Sequence, residues 1–461
     1  MNFNDRTKDL ATKNIGGLLW LYALPAVISQ IIASLYNIVD RIFIGHGVGA
    51  MAIAGLAITM PIMNIIHAFG SLIGVGSSSR MSIVLGKNDV TWAEKILGNS
   101  TIFTFLLGGT VMVCGYVFMD EILTSFGATE ETISYAREYM RIVLPGMFLT
   151  TVTFNFAGMI RASGYPVKSM FILAGGAILN MILDPIFIFV LDWGISGAAY
   201  ATTISMAIAA FFAILHFVDK KSFIRFRRHA WEPKGYIFKN IFMIGMSPFS
   251  MNVAAAGVVA FQNIQILKYG GDYAIGAYGI VNSFANFFVL IILGVCQGMQ
   301  PIAGYNYGAG KLDRLKKVYM LAMKVCVLIG LTGSILGCVF PQQLARVFSN
   351  DEHLVTTAVP VMRFILVMFP LIGFTITNSN FFQSIDKPWI AMVTSLSRQV
   401  IFLVPMCFFI PKLMISLGGD GLTGVWLAAT ISDVMGACLA GTLLYTQRKV
   451  FVNVETTESA A

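Results

Sequence analysis

Twelve apolar runs, most of them about 20 residues or longer, take up most of the 461-residue chain: 15–39, 50–76, 96–118, 135–160, 168–191, 195–218, 237–265, 274–298, 318–340, 357–383, 389–411 and 421–446. A bilayer's hydrocarbon core is roughly 30 Å thick, and about 20 apolar helical residues cross it. Inside lipid every backbone polar group must find its partner within the protein. Continuous runs of this length meet that demand as helices. The predicted fold is therefore all-α and integral to the membrane, with twelve transmembrane helices. Only 12% of the residues are charged, against about 25% in a soluble domain. The first run is too long for a signal-peptide core and ends in Asn37, Asp40 and Arg41 without a small-residue cleavage site, so it reads as a retained helix.

The net charge of +8 is no nucleic-acid footprint. The loops on the amino-terminal side hold 22 of the 31 Lys and Arg residues, and the opposite loops hold only Arg41, Lys268, Arg346 and Lys412. The positive-inside rule then places both termini in the cytoplasm of a multi-pass protein of the inner membrane. The six cysteines, 114, 296, 326, 338, 407 and 438, all fall in apolar runs without a CxxC pair and read as buried reduced thiols.

The chain repeats itself at an offset of about 222 residues. Met140–Arg141 recurs as Met362–Arg363, and Leu144, Leu149, Thr153 and Pro166 recur as Leu366, Leu371, Thr375 and Pro388. Pro25 matches Pro248, and Gly86–Lys87 matches Gly310–Lys311. The segment 194–205 returns as 421–432 with six identities in twelve. The expected organisation is a six-helix lobe over 14–218, a basic linker over 219–236 and a second six-helix lobe over 237–447. An even number of helices in each repeat starts both on one side, which makes them parallel repeats about an axis along the membrane normal, a common transporter plan. The linker's charge sets topology, and it is also suited to anionic lipid headgroups.

Intramembrane polar residues are rare enough to be informative. A carboxylate at the centre of a spanning helix costs about 2.5–3.5 kcal/mol even on the lenient insertion scale. Asp184 stands about fourteen residues into the run 170–191, with Asn180 one turn before it on the same face and Pro185 directly after. Pro185 has no N–H, so the Met181 carbonyl loses its helical partner. Asp40 and Asn37 form a second pair, three residues apart. Oxygens of this kind form a cage for a hard cation. The same carboxylates can carry protons, because burial favours their neutral form and close neighbours share one proton. Bland readings stand beside these: Asp40 paired with Arg41, and Asn180 bonded to a neighbouring helix. Arg398 and Asp433 lie in the eleventh and twelfth runs, either as a structural pair or as a second site. Tyr36, one turn before Asp40, and Asn155, inside the fourth run, are candidates for a substrate wall, and Pro25 for a helix bend. No HExxH or His/Cys cluster marks an enzyme. Residues 305–311, YNYGAGK, fail as a phosphate loop, with Tyr305 where Gly is needed and Leu312 where Ser or Thr is needed.

The segments SLYNIVDRIFIG (34–45), RASGYP (161–166) and GYNYGAGKLD (304–313), in that order within a doubled chain, resemble the multidrug and toxic compound extrusion (MATE) family over roughly residues 15–446. The resemblance implies a secondary antiporter that exports small cationic amphipathic compounds by alternating access in exchange for protons or sodium, without a cofactor. Its DinF-like branch implies a coupling site at Asp40, Asn180, Asp184 and Thr202, the same four residues being the candidate sodium ligands. Thr203 is an equal candidate by residue type. Met206, one turn beyond Thr202, joins the candidate wall with Tyr36, Asn37 and Asn155. The NorM-type branch has acids in the seventh and tenth helices, and 237–265 and 364–383 contain none. Membrane lipid is the expected surrounding partner, nucleic acid is not expected, and one chain carrying both lobes is expected to work as a monomer. The alternatives are a lipid-linked oligosaccharide flippase of the same superfamily, for which Lys324, Arg363 and Arg398 are few cations, and, from another class, a membrane channel or enzyme.

Overall fold

The computed structural model describes residues 9–48 and 50–451. Among them the chain is predominantly helical, with no strand. The first repeat supplies α1 (Ile15–Gly47), α2 (Ala50–Gly86), α3 (Val90–Val117), α4 (Ile133–Ala162), α5 (Pro166–Val190) and α6 (Gly194–Val218). The second begins with one helical stretch, Gly235–Gly308, broken at Gly271, whose backbone (φ 70°, ψ −167°) is open to glycine and not to a helix. The break divides it into α7 (235–270) and α8 (272–308). Then come α9 (Leu312–Val339), α10 (Glu352–Leu366 and Phe369–Ser384, bent by 47°), α11 (Pro388–Ser416) and α12 (Gly421–Thr446).

The helices outrun the apolar runs that predicted them. α1 continues eight residues past 39 and α2 ten past 76. Apolarity marks what lipid covers, and a helix continues through polar residues once its backbone bonds are made. At 1.5 Å per residue, 33 residues reach roughly 50 Å, well beyond the hydrocarbon core. Side-chain caps fix several starts: Asn14 accepts from Gly16 N (2.8 Å), Asp89 from Trp92 N (2.9 Å) and Asp420 from Thr423 N (3.0 Å). α1 is unbroken through buried Pro25, where the Ser29 hydroxyl donates to the Pro25 carbonyl (2.9 Å).

The repeat is visible in the backbone. Left-handed residues recur at an offset of 222, Asn88 with Gly310 and Gly164 with Asp386. Thr203 donates to the Ile142 carbonyl (2.8 Å), and Thr430 donates to the Phe364 carbonyl (2.7 Å). These bonds tie the sixth helix of each repeat to the fourth.

Both described chain ends lie at one face. Arg314 donates to the carbonyls of Leu10 (3.1 Å) and Lys13 (2.7 Å), and Phe451 stacks on Phe381 at 5.5 Å. The two repeats meet closely towards this terminal face. A Cβ on Gly76 would lie 2.2 Å from the Ile241 oxygen, and one on Gly245 would lie 1.9 Å from the Leu72 oxygen. Nearer the face, Arg80 of α2 forms an ion pair with Asp386 of the α10–α11 turn (2.8 Å) and reaches the Tyr236 hydroxyl (3.2 Å). At the opposite face the tight glycine contacts stay within one repeat: Gly47 meets Ile188, Gly55 meets Tyr135, Gly270 meets Leu422 and Gly276 meets Leu354.

The basic linker packs against α3. Asn99 donates to the Glu232 carbonyl (2.9 Å) and accepts from Lys234 N (2.7 Å). Buried Glu94 meets Arg227 (3.0 Å) and His229 (2.9 Å). The cysteine expectation is corrected in part. All six thiols are free, but Cys114 and Cys438 are exposed and Cys338 is half-buried, because their helices turn them away from the packed interior.

Gly76→Leu inserts a side chain where the repeats touch, and overpacking typically costs about 1–3 kcal/mol. Gly257→Leu, on α7 with open space around it, is the control. The melting temperature of the purified protein should fall by several degrees for the first and stay near wild type for the second; equal shifts would contradict the packed contact.

Candidate functional site

The polar centre of the first repeat is built by three helices that the chain brings together near their non-terminal ends. α1 contributes Asp40, which is 6% exposed; α5 contributes Asn180 and Asp184, and α6 contributes Thr202, all fully or almost fully buried. The two carboxylates lie within hydrogen-bonding reach of each other. Asn180 donates through its amide nitrogen to Asp184 Oδ2 (2.9 Å), and its amide oxygen accepts from the Thr202 hydroxyl and from Thr202 N (3.1 Å each). This orientation gives the amide oxygen donors and the amide nitrogen an acceptor.

Around this cluster stand two tyrosines. Tyr36 lies one turn before Asp40 on α1, in the neighbourhood of Thr202 and both carboxylates. Tyr139 of α4, almost fully buried, lies in the same neighbourhood. Tyr139 is absent from the candidates read off the sequence. The signal was its place beside the repeated Met140–Arg141: its counterpart at offset 222 is Val361, so the repeat changes from an aromatic hydroxyl to an apolar side chain there.

Neither Asp40 nor Asp184 belongs to a salt bridge among the described residues. Arg41, the suggested partner of Asp40, instead reaches Met60 Sδ at 2.7 Å. One oxygen of Asp40, Oδ1, is buried with no hydrogen-bond partner. A buried acceptor without a donor, next to a second carboxylate, is a place where a proton or a hard monovalent cation is favoured. Directly after Pro185 the helix widens into a π-helical segment, Ile186–Val190. Segments of this kind frequently adjoin functional sites.

Two candidate wall residues have partners away from the carboxylates. Asn37 is exposed, and its amide turns back to the Ala33 carbonyl on its own helix (2.7 Å). The buried stripe of α1 runs instead through Asp40 and Ile44, four residues apart. Asn155 is fully buried away from the carboxylates, at a junction of α2, α3 and α4. It accepts from Ser77 (2.7 Å) and donates to Thr104 (3.0 Å) and Ser100 (3.4 Å). Bonds to three helix side chains satisfy it as a packing residue. Met206 is half-buried, one turn beyond Thr202.

In the second repeat Arg398 donates to Asp433 (3.0 Å), and a second π-helical segment, Ser397–Leu403, carries the arginine. Tyr278 nearby donates to Gln262 (2.7 Å) and stacks against Trp426 at 6.1 Å. The second repeat therefore holds a self-neutralised pair, where the first holds two acids.

Two six-span repeats meet closely at one face, and one of them buries two acids that have no ion-pair partner among the described residues. The MatE family model matches residues 25–186 and again 249–409. The chain belongs to the MatE family of membrane transporters. A multidrug export protein MepA of Staphylococcus haemolyticus (strain JCSC1435) is 28% identical over 427 residues, covering 93% of this chain and 92% of that protein. A MepA of Staphylococcus aureus (strain MRSA252) is 27% identical, covering 93% of each. Among solved structures, a MOP superfamily transporter from Pyrococcus furiosus Vc1 (DSM3638) superposes with a TM-score of 0.89 at 24% identity, over 98% of this chain and 99% of that one. A MATE crystal structure in the straight conformation gives 0.88 at 25% identity, over 97% and 98%.

If Arg398 and Asp433 serve structure, leaving one charge alone is worse than removing both. Breaking a buried pair typically costs about 3–5 kcal/mol, whereas apolar replacement of both partners is often neutral. Arg398→Met should therefore lower the melting temperature and membrane yield, and Arg398→Met with Asp433→Leu should restore much of both. A double variant no better than the single would contradict the structural reading.

Proposed function

We propose that this protein is a multidrug exporter of the DinF-like type, a monomeric antiporter of the inner membrane with cytoplasmic termini. It expels small cationic amphipathic compounds in exchange for a cation bound at Asp40 and Asp184. The observation that carries the reading is the pair of buried carboxylates within reach of each other and free of salt bridges. The names of the MepA relatives, matched over nearly the whole chain, support the substrate class.

The chemistry is electrostatic competition. A cationic substrate in the first repeat is attracted by the two acids. A proton or a sodium ion entering between them cancels that attraction, and the substrate leaves. Asn180 and Thr202 orient Asp184, and their oxygens are the further ligands a sodium ion would use. We propose the proton as the coupling ion. Occupancy of Asp40, on the same helix as Pro25, alters the bend of α1 and so the shape of the cavity.

Alternating access supplies direction. With the termini in the cytoplasm as proposed, the glycine contacts and the Arg80–Asp386 pair at the terminal face support an outward-open state. In that state the external cation loads the acids and releases the substrate. The repeats then rock, the terminal face opens and the cation departs into the cytoplasm, where substrate binds again.

The test is efflux of a fluorescent cationic dye from proteoliposomes under an imposed pH gradient in sodium-free buffer. Wild type should expel dye only with the gradient, and Asp184→Asn should not. Efflux that begins only when sodium is added would move the coupling to sodium at the same residues. Equal gradient-driven efflux in both proteins would reduce Asp184 to a structural role.

A further inference from the structure

Away from the acids, a groove of about 680 Å³ opens on the flank of the bundle between α5 and α6. Its walls are apolar, formed by Phe171 of α5 and Phe212 and Leu215 of α6, all exposed. Gly175 and Gly176 hollow the α5 side, and a Cβ on Gly175 would meet nothing within 4 Å. A second hollow of about 440 Å³ continues round the start of α5 and shares Lys168 and Phe171 with the first.

The groove has a polar head at the terminal face. Lys168 lies one turn inside α5, with its ammonium 2.9 Å from His216 Nδ1. An ammonium only donates, so in this contact His216 accepts at Nδ1. Lys220 and Lys221 are exposed at the same end, where the linker begins. Two acids lie at this end: Asp219, whose carboxylate accepts from Lys221 N (2.9 Å), and Asp9, which lines the second hollow and pairs with Lys13 (2.7 Å). From Lys168 to Gly175 the slot runs roughly 10 Å along the helix at 1.5 Å per residue.

We propose that this groove is a binding site for an anionic glycerophospholipid of the leaflet that meets the linker. Its phosphate sits on Lys168 and one acyl chain lies in the slot past Gly175. The occupant follows from position and charge. The slot opens sideways on membrane-spanning helices, where the surrounding solvent is lipid. Its length is apolar, which suits a chain and gives free phosphate nothing to hold. Its head is cationic, and basic residues at a membrane surface draw anionic headgroups. His216 is the positioning residue that holds the ammonium over the mouth.

The experiment measures lipid retained by the purified protein after washing in detergent containing equal phosphatidylglycerol and phosphatidylcholine, counted by native mass spectrometry. Wild type should retain phosphatidylglycerol preferentially. Lys168→Gln should reduce that preference about fivefold, the scale of one basic residue near the surface, and Gly175→Leu should abolish retention by filling the slot. Lys239→Gln, an exposed lysine outside the groove, should change nothing, and unaltered melting of all variants excludes misfolding. Undiminished preference in Lys168→Gln, or an equal loss in Lys239→Gln, would overturn the site. Retention unaffected by Gly175→Leu would overturn the acyl slot.

Discussion

Two carboxylates held together inside lipid are the constraint from which the rest follows. Each is costly alone in a medium of low dielectric, and neither has a basic partner among the described residues. The fold answers by surrounding them with Asn180, Thr202, Tyr36 and Tyr139, and by leaving Asp40 Oδ1 without a donor. A site arranged this way has a standing demand for a cation. In the proposed exchange, cation binding there varies the charge of the first repeat, which competition between a cationic compound and an ion requires.

In the proposed cycle, duplication supplies the moving parts and its asymmetry supplies the chemistry. Matching left-handed turns and matching Thr203 and Thr430 bonds show two copies of one six-helix frame. The copies differ at their polar centres: Asp40 and Asp184 face each other in one, whereas Arg398 neutralises Asp433 in the other. A π-helical segment adjoins each centre. The contacts between copies concentrate towards the terminal face, where close glycine packing and the Arg80–Asp386 pair hold them.

The membrane architecture was legible because apolar runs report directly on what lipid touches. The break at Gly271 falls between the runs 237–265 and 274–298, so one helical stretch was correctly divided into two spans. Helix ends were less legible, since Asn37, Asp40 and His46 interrupt apolarity in α1 without interrupting the backbone. The site was legible in part. Asn180 and Asp184 share a face by their spacing alone, but their meeting with Asp40 and Thr202 depends on tertiary packing and came through the family resemblance. Asn155 and Asn180 look alike in sequence as polar residues within apolar runs. Only the partners separate them: Ser77, Ser100 and Thr104 satisfy the first, and Asp184 and Thr202 engage the second.

Direct competition at one pair of acids is the central claim, and proton release on substrate binding tests it most directly. Purified protein in weakly buffered, sodium-free detergent would be mixed with a cationic dye at a pH where the wild type binds it, and the pH followed with an indicator. The account predicts release of protons by the wild type on binding, and none by the Asp40→Asn, Asp184→Asn double variant. Dye binding to the wild type with no proton release, unchanged by added sodium, would contradict competition at these carboxylates.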